Sequence, residues 1–404
     1  MIPVLACLGT QKSFIIRIVQ LVIVTYSLTQ TWTAQIITYQ NGREVVVTQH
    51  ETTALQAASI YYGAYTGSWL QNLHTVVQFE SSVQKTMSIV MWYQEWDNSV
   101  LAVFHPAWMN NVRQHGAIPM ISWEPWAGNP NAVNVNSNNC SQTYDLQNII
   151  SGKFDPYITQ WAQSAKAWGY PFFLRFAPEM NGNWYPWSEQ CPENKPGQYV
   201  QAWQHVHNIF NKVGADNVTW VWSPNVIYPG STLLSELYPG NQYVDWVGID
   251  GYNWSTFYFH QWQSFTGVFQ STYQTIENMA INKPMMVAQT ASAGNPYDKS
   301  AWISNALTQA LPYLFPAIKA MVYFNVNTQI QWSINSSLLV QEAFAHGIST
   351  KAYVAASSKL ATLDMSPIPV PIAAGLSQGT PAGDTDGDTH TVIKPAHDTD
   401  GDGH

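Results

Sequence analysis

The chain of 404 residues is long enough for one barrel-sized domain or two smaller domains. It carries a net charge of −9, and only four of its 16 basic residues are arginines. No basic stripe is available for a phosphate backbone, so we exclude nucleic acid as a partner. Aromatic residues make up 14% of the chain and charged residues only 10%, which predicts flat, apolar and neutral binding surfaces. Sugar rings suit such surfaces, although Trp and Tyr also fill ordinary protein cores.

Residues 1–34 are typical of an export signal. Lys12 and Arg17 lie before or within an apolar run over 14–28, and small or hydroxyl residues follow as far as Ala34. A membrane anchor is the alternative, but Arg17 interrupts the run, which is shorter than the roughly 20 residues that span a bilayer. We therefore expect cleavage near Ala34, a secreted protein, and no membrane contact once the signal is removed.

The chain has three cysteines, and removal of the predicted signal leaves Cys140 and Cys191. An even pair in an exported protein indicates a disulfide formed in an oxidising compartment. Two unpaired buried thiols are the alternative, because two cysteines are few for a disulfide framework.

Between residues 35 and 350, eight short apolar runs alternate with segments of helical periodicity. Each run is rich in β-branched or aromatic residues and is bounded by turn residues, as expected of strands buried on both faces of a parallel sheet. The intervening segments, such as 157–168 and 199–213, repeat apolar residues every three or four positions. The pattern predicts an α/β fold, a (β/α)8 TIM barrel. The predicted strands are Ser59–Ala64, Met87–Tyr93, Ile118–Trp123, Phe172–Phe176, Thr219–Ser223, Trp246–Asp250, Pro284–Ala288 and Ala320–Phe324.

The carboxyl ends of the strands are where a (β/α)8 barrel carries its active site. In this sequence those ends collect Trp, Asn and carboxylate residues together. We therefore expect the functional site in the segments Trp92–Trp96, Trp123–Trp126, Glu179–Trp187, Trp222–Asn225, Asp250–Trp254, Gln289–Ser292 and Phe324–Asn327.

Residues 351–404 are predicted to be a disordered linker and an acidic tail. Prolines at 367, 369 and 371 indicate an extended linker. In the tail, residues 384–390 and 398–404 both carry Asp at alternate positions, like the start of a calcium loop, but neither has the Glu that would complete a site. Weak calcium binding and a solvated acidic tail are the two interpretations.

Glu179 is the best candidate for a proton donor to a glycosidic oxygen. Cleavage of a glycosidic bond usually needs two carboxyl groups, one to protonate the leaving oxygen and one to attack or to activate water. Glu179 follows the strand predicted over 172–176, and Arg175, Trp184 and Trp187 flank it. Such a partly apolar setting raises the pKa of a carboxyl toward neutrality. A Glu at a strand end can also simply bond a loop amide.

Five motifs along the predicted barrel occur in the order found in one known family. They are Ile121–Trp126 (ISWEPW), Leu174–Trp187 (LRFAPEMNGNWYPW), Trp220–Asn225 (WVWSPN), Val244–Tyr252 (VDWVGIDGY) and Lys283–Ser292 (KPMMVAQTAS). Together they resemble glycoside hydrolase family 26, the β-mannanases and related endoglucanases, over roughly residues 60–347. The resemblance implies a (β/α)8 barrel and a retaining double displacement that needs no metal or organic cofactor. It also implies Glu179 as the acid/base and Tyr252 as the hydrogen-bond partner of the nucleophile.

The resemblance further implies a set of substrate contacts in the barrel mouth. They are Glu124, Trp126, Asn181, Trp184, Trp187 and Trp222. From the same strand ends we add Arg175, Tyr252 and Trp254 as candidate binding residues.

One position departs from the family where the chemistry needs a carboxylate. The family places a nucleophilic Glu at the end of the seventh strand, and this sequence has Gln289 there. A carboxamide oxygen is a poor nucleophile, but Gln is nearly isosteric with Glu and can keep a binding role. A smaller departure is Pro178, where many mannanases of the family carry His, and it bears on mannan as the substrate.

Three explanations of Gln289 are open. It is a deliberate substitution that traps a complex, a natural residue of a binding protein without turnover, or a residue whose role another carboxylate takes. In the third case, a carboxylate about 6.5 to 9.5 Å from Glu179 would activate water with inversion. The eligible groups at strand ends are Glu95, Asp97, Glu124 and Asp250, the last better explained as a structural hydrogen-bond partner.

Three functional hypotheses follow. The first, which we favour, is a secreted monomeric endo-β-glycanase that hydrolyses a cell-wall polysaccharide such as β-mannan or mixed-linkage β-glucan. The second is a catalytically silent polysaccharide-binding protein on the same barrel. The third is an extracellular structural component whose linker and acidic tail mediate assembly.

Overall fold

Eight parallel strands form a closed barrel in the computed structural model of the protein. The strands are β1 (Ile60–Tyr65), β2 (Ile89–Glu95), β3 (Ile118–Glu124), β4 (Phe172–Phe176), β5 (Val218–Trp222), β6 (Trp246–Asn253), β7 (Met285–Ser292) and β8 (Ile318–Phe324). Each strand pairs with its neighbour in chain order, and β8 closes the barrel by pairing with β1. The predicted TIM barrel is confirmed, and each of the eight predicted strands overlaps an observed one.

The structure describes most of the chain around this barrel. The described residues are 29–40, 43–54, 59–67, 70–97, 102–127, 140, 143–279, 281–294 and 298–372, and those before residue 55 are described by their backbone alone.

The strands are buried on both faces, which explains their continuous apolar sequences. Every residue of β3, β4, β5 and β7 is buried. One face of the strands fills the barrel with side chains such as Met91, Met120 and Phe173. The other face packs against the surrounding helices, as in other barrels of this type.

The helices follow the strands along the chain. They are α1 (His74–Val83), α2 (Pro106–Gln114), α3 (Leu146–Ile150), α4 (Asp155–Trp168), α5 (Gln198–Val213), α6 (Leu234–Leu237), α7 (Phe265–Asn278), α8 (Lys299–Asn305), α9 (Leu338–Ser349) and α10 (Ser358–Ala361). A π-helix over Ala306–Leu314 continues α8, and short 3₁₀ turns occur at Asn241–Tyr243, Phe257–Phe259 and Ile334–Ser336. The two predicted helical segments lie within α4 and α5. Both helices end at a glycine in the left-handed region, Gly169 and Gly214, which releases the chain into the next strand.

The segment 351–372 closes the amino-terminal end of the barrel. Tyr353 and Val354 pair with the start of β1, and the side chain of Ile368 is buried in the inner cluster of the barrel. Trp246 Nε1 donates to Ile368 O at 2.9 Å, and Ile368 N–H donates to Thr219 Oγ1 at 2.9 Å. The predicted boundary at residue 350 is therefore corrected.

Composition misled the prediction, because a few apolar side chains within an Ala-, Ser- and Pro-rich stretch are enough to cover the open end of the barrel. The remaining tail, residues 373–404, lies outside the described residues. The calcium-binding and acidic-tail interpretations concern this tail, so they too fall outside the described residues.

Two antiparallel strands, Thr29–Gln40 and Arg43–Ala54, precede the barrel and pair from Thr29 opposite Ala54 to Gln40 opposite Arg43. The predicted signal over 1–34 falls mostly outside the described residues, and its last six residues belong to the first of these strands. Within the described ranges, none of the helices combines the length and apolar character needed to cross a membrane.

Candidate active site

Glu179 lies on a tight turn that follows β4 at the barrel mouth. Ala177 and Glu179 adopt the left-handed backbone region, with φ of 43° and 55°, which is uncommon for residues with a side chain. Ala177 N–H donates to Trp123 O at 3.0 Å, and Glu179 N–H donates to Ser223 O at 2.7 Å. Backbone strain of this kind is typical of functional sites, and here the two bonds hold the turn between β3 and β5.

The carboxyl of Glu179 is buried and bonded to one indole. Trp184 Nε1 donates to Glu179 Oε2 at 2.7 Å. A Cβ at position 182 would lie 2.5 Å from the Trp184 ring, so Gly182 allows this contact. Burial raises the pKa of Glu179 above its ordinary value, while the charge of Arg175 and the Trp184 hydrogen bond oppose the shift. Because Oε2 accepts the indole N–H, a proton on this carboxyl is held by Oε1.

Arg175, on β4, connects three other strands within the barrel. Its Nη1 donates to Asp250 Oδ2 at 2.7 Å, and its Nη2 donates to Gln289 Oε1 at 2.7 Å and to Ser122 Oγ at 2.9 Å. Ser223 Oγ donates to Asp250 Oδ1 at 3.1 Å, so both oxygens of Asp250 have a partner. Arg175 and Asp250 are almost completely buried, which makes either charge costly to leave unpaired.

Gln289 lies on β7 with each end of its amide bonded. Its oxygen accepts from Arg175, and its nitrogen donates to Tyr252 Oη. A guanidinium can only donate, so the orientation of the amide is determined by Arg175. The predicted partnership between Tyr252 and position 289 is therefore present in the structure.

Glu124, at the end of β3, is a second buried carboxyl in the mouth. Ser122 Oγ donates to its Oε1 and Trp126 Nε1 donates to its Oε2, both at 3.1 Å. Burial is the main cause that raises the pKa of Glu124 to about 8, against the opposing charge of Arg175. The group is thus mostly protonated at neutral pH.

Aromatic side chains surround these polar groups. On the side of β3 and β4, Trp126 meets Tyr185 edge-on at 5.3 Å between ring centres. On the side of β6 and β8, Trp254 lies 5.8 Å from Tyr252 and 5.1 Å from Trp332. Aromatic walls around carboxyl and amide groups suit a neutral, hydroxyl-rich ligand.

The structure brings together eight of the predicted site residues in the mouth. They are Glu179, Gln289, Arg175, Tyr252, Glu124, Trp126, Trp184 and Trp254.

Three other residues, predicted as direct substrate contacts, are fully buried: Asn181, Trp187 and Trp222. Their polar groups are already bonded inside the protein, Trp222 Nε1 to Leu237 O at 3.1 Å, Trp187 Nε1 to Pro178 O at 2.7 Å, and the Asn181 amide to the backbone of Asn225 at 2.9 Å. The expectation of direct contact is corrected, because these side chains support the mouth from behind.

Sequence reasoning missed two tyrosines of the mouth. The hydroxyl of Tyr93, on β2, is buried without a hydrogen-bond partner among the described residues, and the guanidinium of Arg175 lies 5.9 Å from its ring. Tyr185 stacks on Trp187 at 4.3 Å. Burial raises the pKa of both tyrosines, so both hydroxyls stay protonated. Both lie in strand-end segments assigned to the mouth, where a search for hydroxyl donors beside the carboxylates would have found them.

Potential metal ligands cluster at one place in the described part of the chain. The group is Cys140, Cys191 and Glu193, and the two cysteine sulfurs form a disulfide with each other. They therefore offer no thiolate to a metal.

Two curated relatives align with the barrel. Endoglucanase H of Acetivibrio thermocellus is 35% identical over 297 residues, which is 71% of this chain and 30% of that protein. A mannan endo-1,4-beta-mannosidase of Bacillus subtilis is 28% identical over 162 residues, covering 38% of this chain and 40% of that protein. The chain thus matches less than half the length of either relative.

Solved structures share the fold. The Bacillus subtilis mannanase BCman has a TM-score of 0.55 at 18% identity, covering 79% of this chain and 91% of that one. The β-mannanase BoMan26A of Bacteroides ovatus has a TM-score of 0.53 at 15% identity, covering 74% and 90%.

The sequence model of glycosyl hydrolase family 26 matches residues 47–346, which contain every strand of the barrel and the whole mouth. This agrees with the resemblance carried by the five motifs. The chain belongs to glycosyl hydrolase family 26.

Proposed function

We propose that the chain is a secreted endo-β-glycanase that hydrolyses a β-glucan or a β-mannan, with Glu179 as the general acid. The names of the relatives support the reaction class, since one is an endoglucanase and another a mannan endo-1,4-beta-mannosidase. The predicted signal and the Cys140–Cys191 disulfide support secretion, because disulfides persist in oxidising compartments.

The environment of Glu179 carries this proposal. Burial raises its pKa, and Trp184 binds one of its oxygens, which leaves the other to hold the proton. A carboxyl whose pKa is raised keeps its proton to higher pH, so it can protonate the oxygen of a leaving sugar. The aromatic side chains of the mouth would pack on the C–H faces of the sugar rings on either side.

The amide at position 289 favours a second candidate, a polysaccharide-binding protein without turnover. A retaining reaction needs a carboxylate that attacks the sugar carbon. The oxygen of Gln289 is neutral and already accepts a hydrogen bond from Arg175, so it is a poor nucleophile. The bonds to Arg175 and Tyr252 would still hold the amide in place for binding.

Two of the four candidate replacement carboxylates are poorly suited to act as a base. Asp250 is buried, and both of its oxygens have partners. The pKa of Glu124 is raised to about 8, so little of it is ionised at neutral pH. Glu95 and Asp97 remain, and Glu95 lies opposite Glu124 in the β2–β3 ladder. If the native chain turns over, we expect Glu95 or Asp97 to activate the water, with inversion at the sugar carbon.

One experiment separates the two candidates. The purified chain and its Gln289→Glu variant are incubated with mannan, galactomannan and barley β-glucan, and new reducing ends and bound protein are measured. New reducing ends from the native chain, lost in Glu179→Ala, support the glycanase. Binding without turnover, with turnover gained in Gln289→Glu, supports the binding protein. Neither binding nor turnover by either protein on any of the three polysaccharides would contradict both candidates.

A further inference from the structure

The segment after β6 forms a closed loop beside the mouth. Asn253, the last residue of β6, is buried, and its side-chain oxygen accepts the N–H groups of Ser255 at 3.2 Å and Gln263 at 3.1 Å. Its side-chain nitrogen donates to Ser292 Oγ on β7 at 2.9 Å. One side chain therefore ties both ends of the loop 254–263 to the barrel.

This loop leaves three large aromatic side chains partly exposed to water. Phe257, Tyr258 and Trp262 are 36%, 40% and 37% exposed. Ser255 and Tyr258 adopt the left-handed backbone region, with φ of 55° and 53°, a strained conformation for residues with a side chain. Exposed rings and backbone strain both oppose folding, so their coincidence on one closed loop indicates a binding surface.

The loop is continuous with the candidate active site. Trp254 contacts Tyr252, the partner of Gln289, and Trp332 on the neighbouring strand-end loop. His260 stacks on Trp254 at 5.5 Å, with an angle of 18° between the rings. Tyr258 Oη donates to Gln329 Oε1, which joins the loop after β6 to the loop after β8. A ligand that fills the mouth therefore meets this surface next.

The surface is aromatic and amide-rich but carries no formal charge. Residues 251–276 and 325–341 contain no Asp, Glu, Lys or Arg. A phosphate, an acidic polymer or a charged protein partner would find no permanently charged side chain on these loops. Aromatic faces with amide and hydroxyl groups beside them match the C–H faces and hydroxyls of neutral sugars.

We propose that Trp254, Phe257, Tyr258 and Trp262, the aromatic platform, bind sugar rings of a neutral β-linked polysaccharide beyond those held at Glu179. This rests on the proposed function, since one polysaccharide chain would occupy both the mouth and the platform. The platform would thus favour long chains over short ones. The amides of Gln261 and Gln329 would bond the hydroxyl groups of the stacked sugars.

The test compares a long and a short ligand of one linkage. Isothermal titration measures binding of a soluble β-glucan or β-mannan polymer and of the corresponding trisaccharide, with Glu179→Gln in every protein so that no bond is cut. The platform variant is Tyr258→Ala with Trp262→Ala, and Phe257→Ala is a second, independent variant. The matched control is Tyr170→Ala, whose ring is 42% exposed but precedes β4 at the opposite end of the barrel.

We expect the platform variant to bind the polymer about tenfold more weakly, the size expected from the loss of two ring contacts, with trisaccharide binding unchanged. Phe257→Ala should weaken polymer binding in the same direction, and Tyr170→Ala should change neither ligand. Full polymer binding by both platform variants, or an equal loss for both ligands, would overturn the platform and leave the proposed function standing. If the parent protein binds neither ligand, the proposed function falls, and the platform falls with it.

Discussion

Arg175 Nη2 lies 2.7 Å from Gln289 Oε1, and this bond determines how the amide at position 289 is oriented. Because the amide oxygen faces Arg175, its nitrogen donates to the Tyr252 hydroxyl, which acts as an acceptor. A carboxylate at the same position would instead accept from both residues. The native arrangement therefore leaves the Tyr252 proton available to a bound ligand.

Removal of the buried guanidinium should be strongly destabilising. In Arg175→Met, Asp250 keeps only its bond from Ser223 and its charge is left unpaired in the barrel interior. We expect the free energy of unfolding to fall by about 3–5 kcal/mol, measured by urea denaturation. Adding Asp250→Asn should recover part of the loss, because no charge is then left unpaired. If Arg175→Met alone were as stable as the native chain, the buried pair of Arg175 and Asp250 would not stabilise the barrel.

The pH dependence of turnover should report on Trp184. Its hydrogen bond to Glu179 favours the carboxylate and so lowers the pKa of that group, against the larger effect of burial. Trp184→Phe removes the bond, so the pKa of Glu179 should rise further.

A general acid works while it is protonated, so the alkaline limb of the rate profile should move to higher pH. The measurement is kcat/KM against pH in the Gln289→Glu background, with and without Trp184→Phe. A limb that stays in place or moves to lower pH would remove Glu179 from the role of acid.

Ile368 should matter to stability although it lies in a segment with a linker-like composition. Its side chain is buried among the inner residues of the barrel, and Ile368→Ala should lower the free energy of unfolding by about 2–5 kcal/mol. Ile372 is 55% exposed, so Ile372→Ala should change the free energy of unfolding by less than about 0.5 kcal/mol. Equal effects of the two substitutions, measured by urea unfolding, would show that the segment does not seal the barrel.

An ion pair between His115 and Glu80, on the outside of the barrel, should make the free energy of unfolding depend on pH. Hydrogen bonding to Glu80, at 2.8 Å, is the main cause that raises the pKa of His115 above 6.5. Because the pKa of His115 is higher in the folded than in the unfolded state, the pair stabilises the fold fully below pH 6.5. This stabilisation is lost as the pH rises through the folded-state pKa. Because His115 is partly exposed, we expect at most about 1 kcal/mol.

Urea unfolding from pH 5.5 to 8.5 should therefore show a decline that is absent in His115→Gln. An identical decline in the variant would assign the dependence to other groups.

The eight strands could be predicted because strands buried on both faces are written as continuous apolar runs. Because parallel strands share one direction, the sequence alone places Glu179, Gln289 and Tyr252 at the same end of the barrel. The resemblance added the roles of these residues, and the bonded pair of Gln289 and Tyr252 agrees with it.

What the sequence could not give depends on contacts between distant residues. Trp184 and Trp222 are the same residue type, and both lie in segments assigned to the strand ends. Trp184 nevertheless donates to Glu179, whereas Trp222 donates to Leu237 O behind β5. Arg175 reaches partners 53, 75 and 114 positions away, so only the closed barrel reveals it as the centre of the polar network. The role of Ile368 likewise depends on Trp246, 122 positions earlier in the chain.

We propose that position 289 is where the covalent step of this family would occur, and that the native amide prevents it. Intact-protein mass spectrometry after incubation with an activated 2-deoxy-2-fluoro β-glycoside tests this directly, since such a reagent traps a glycosyl-enzyme intermediate. The Gln289→Glu variant should gain the mass of one sugar, which peptide mapping should locate at residue 289, while the native chain gains none. Labelling of the native chain, or an adduct of the variant at another carboxylate, would contradict the claim.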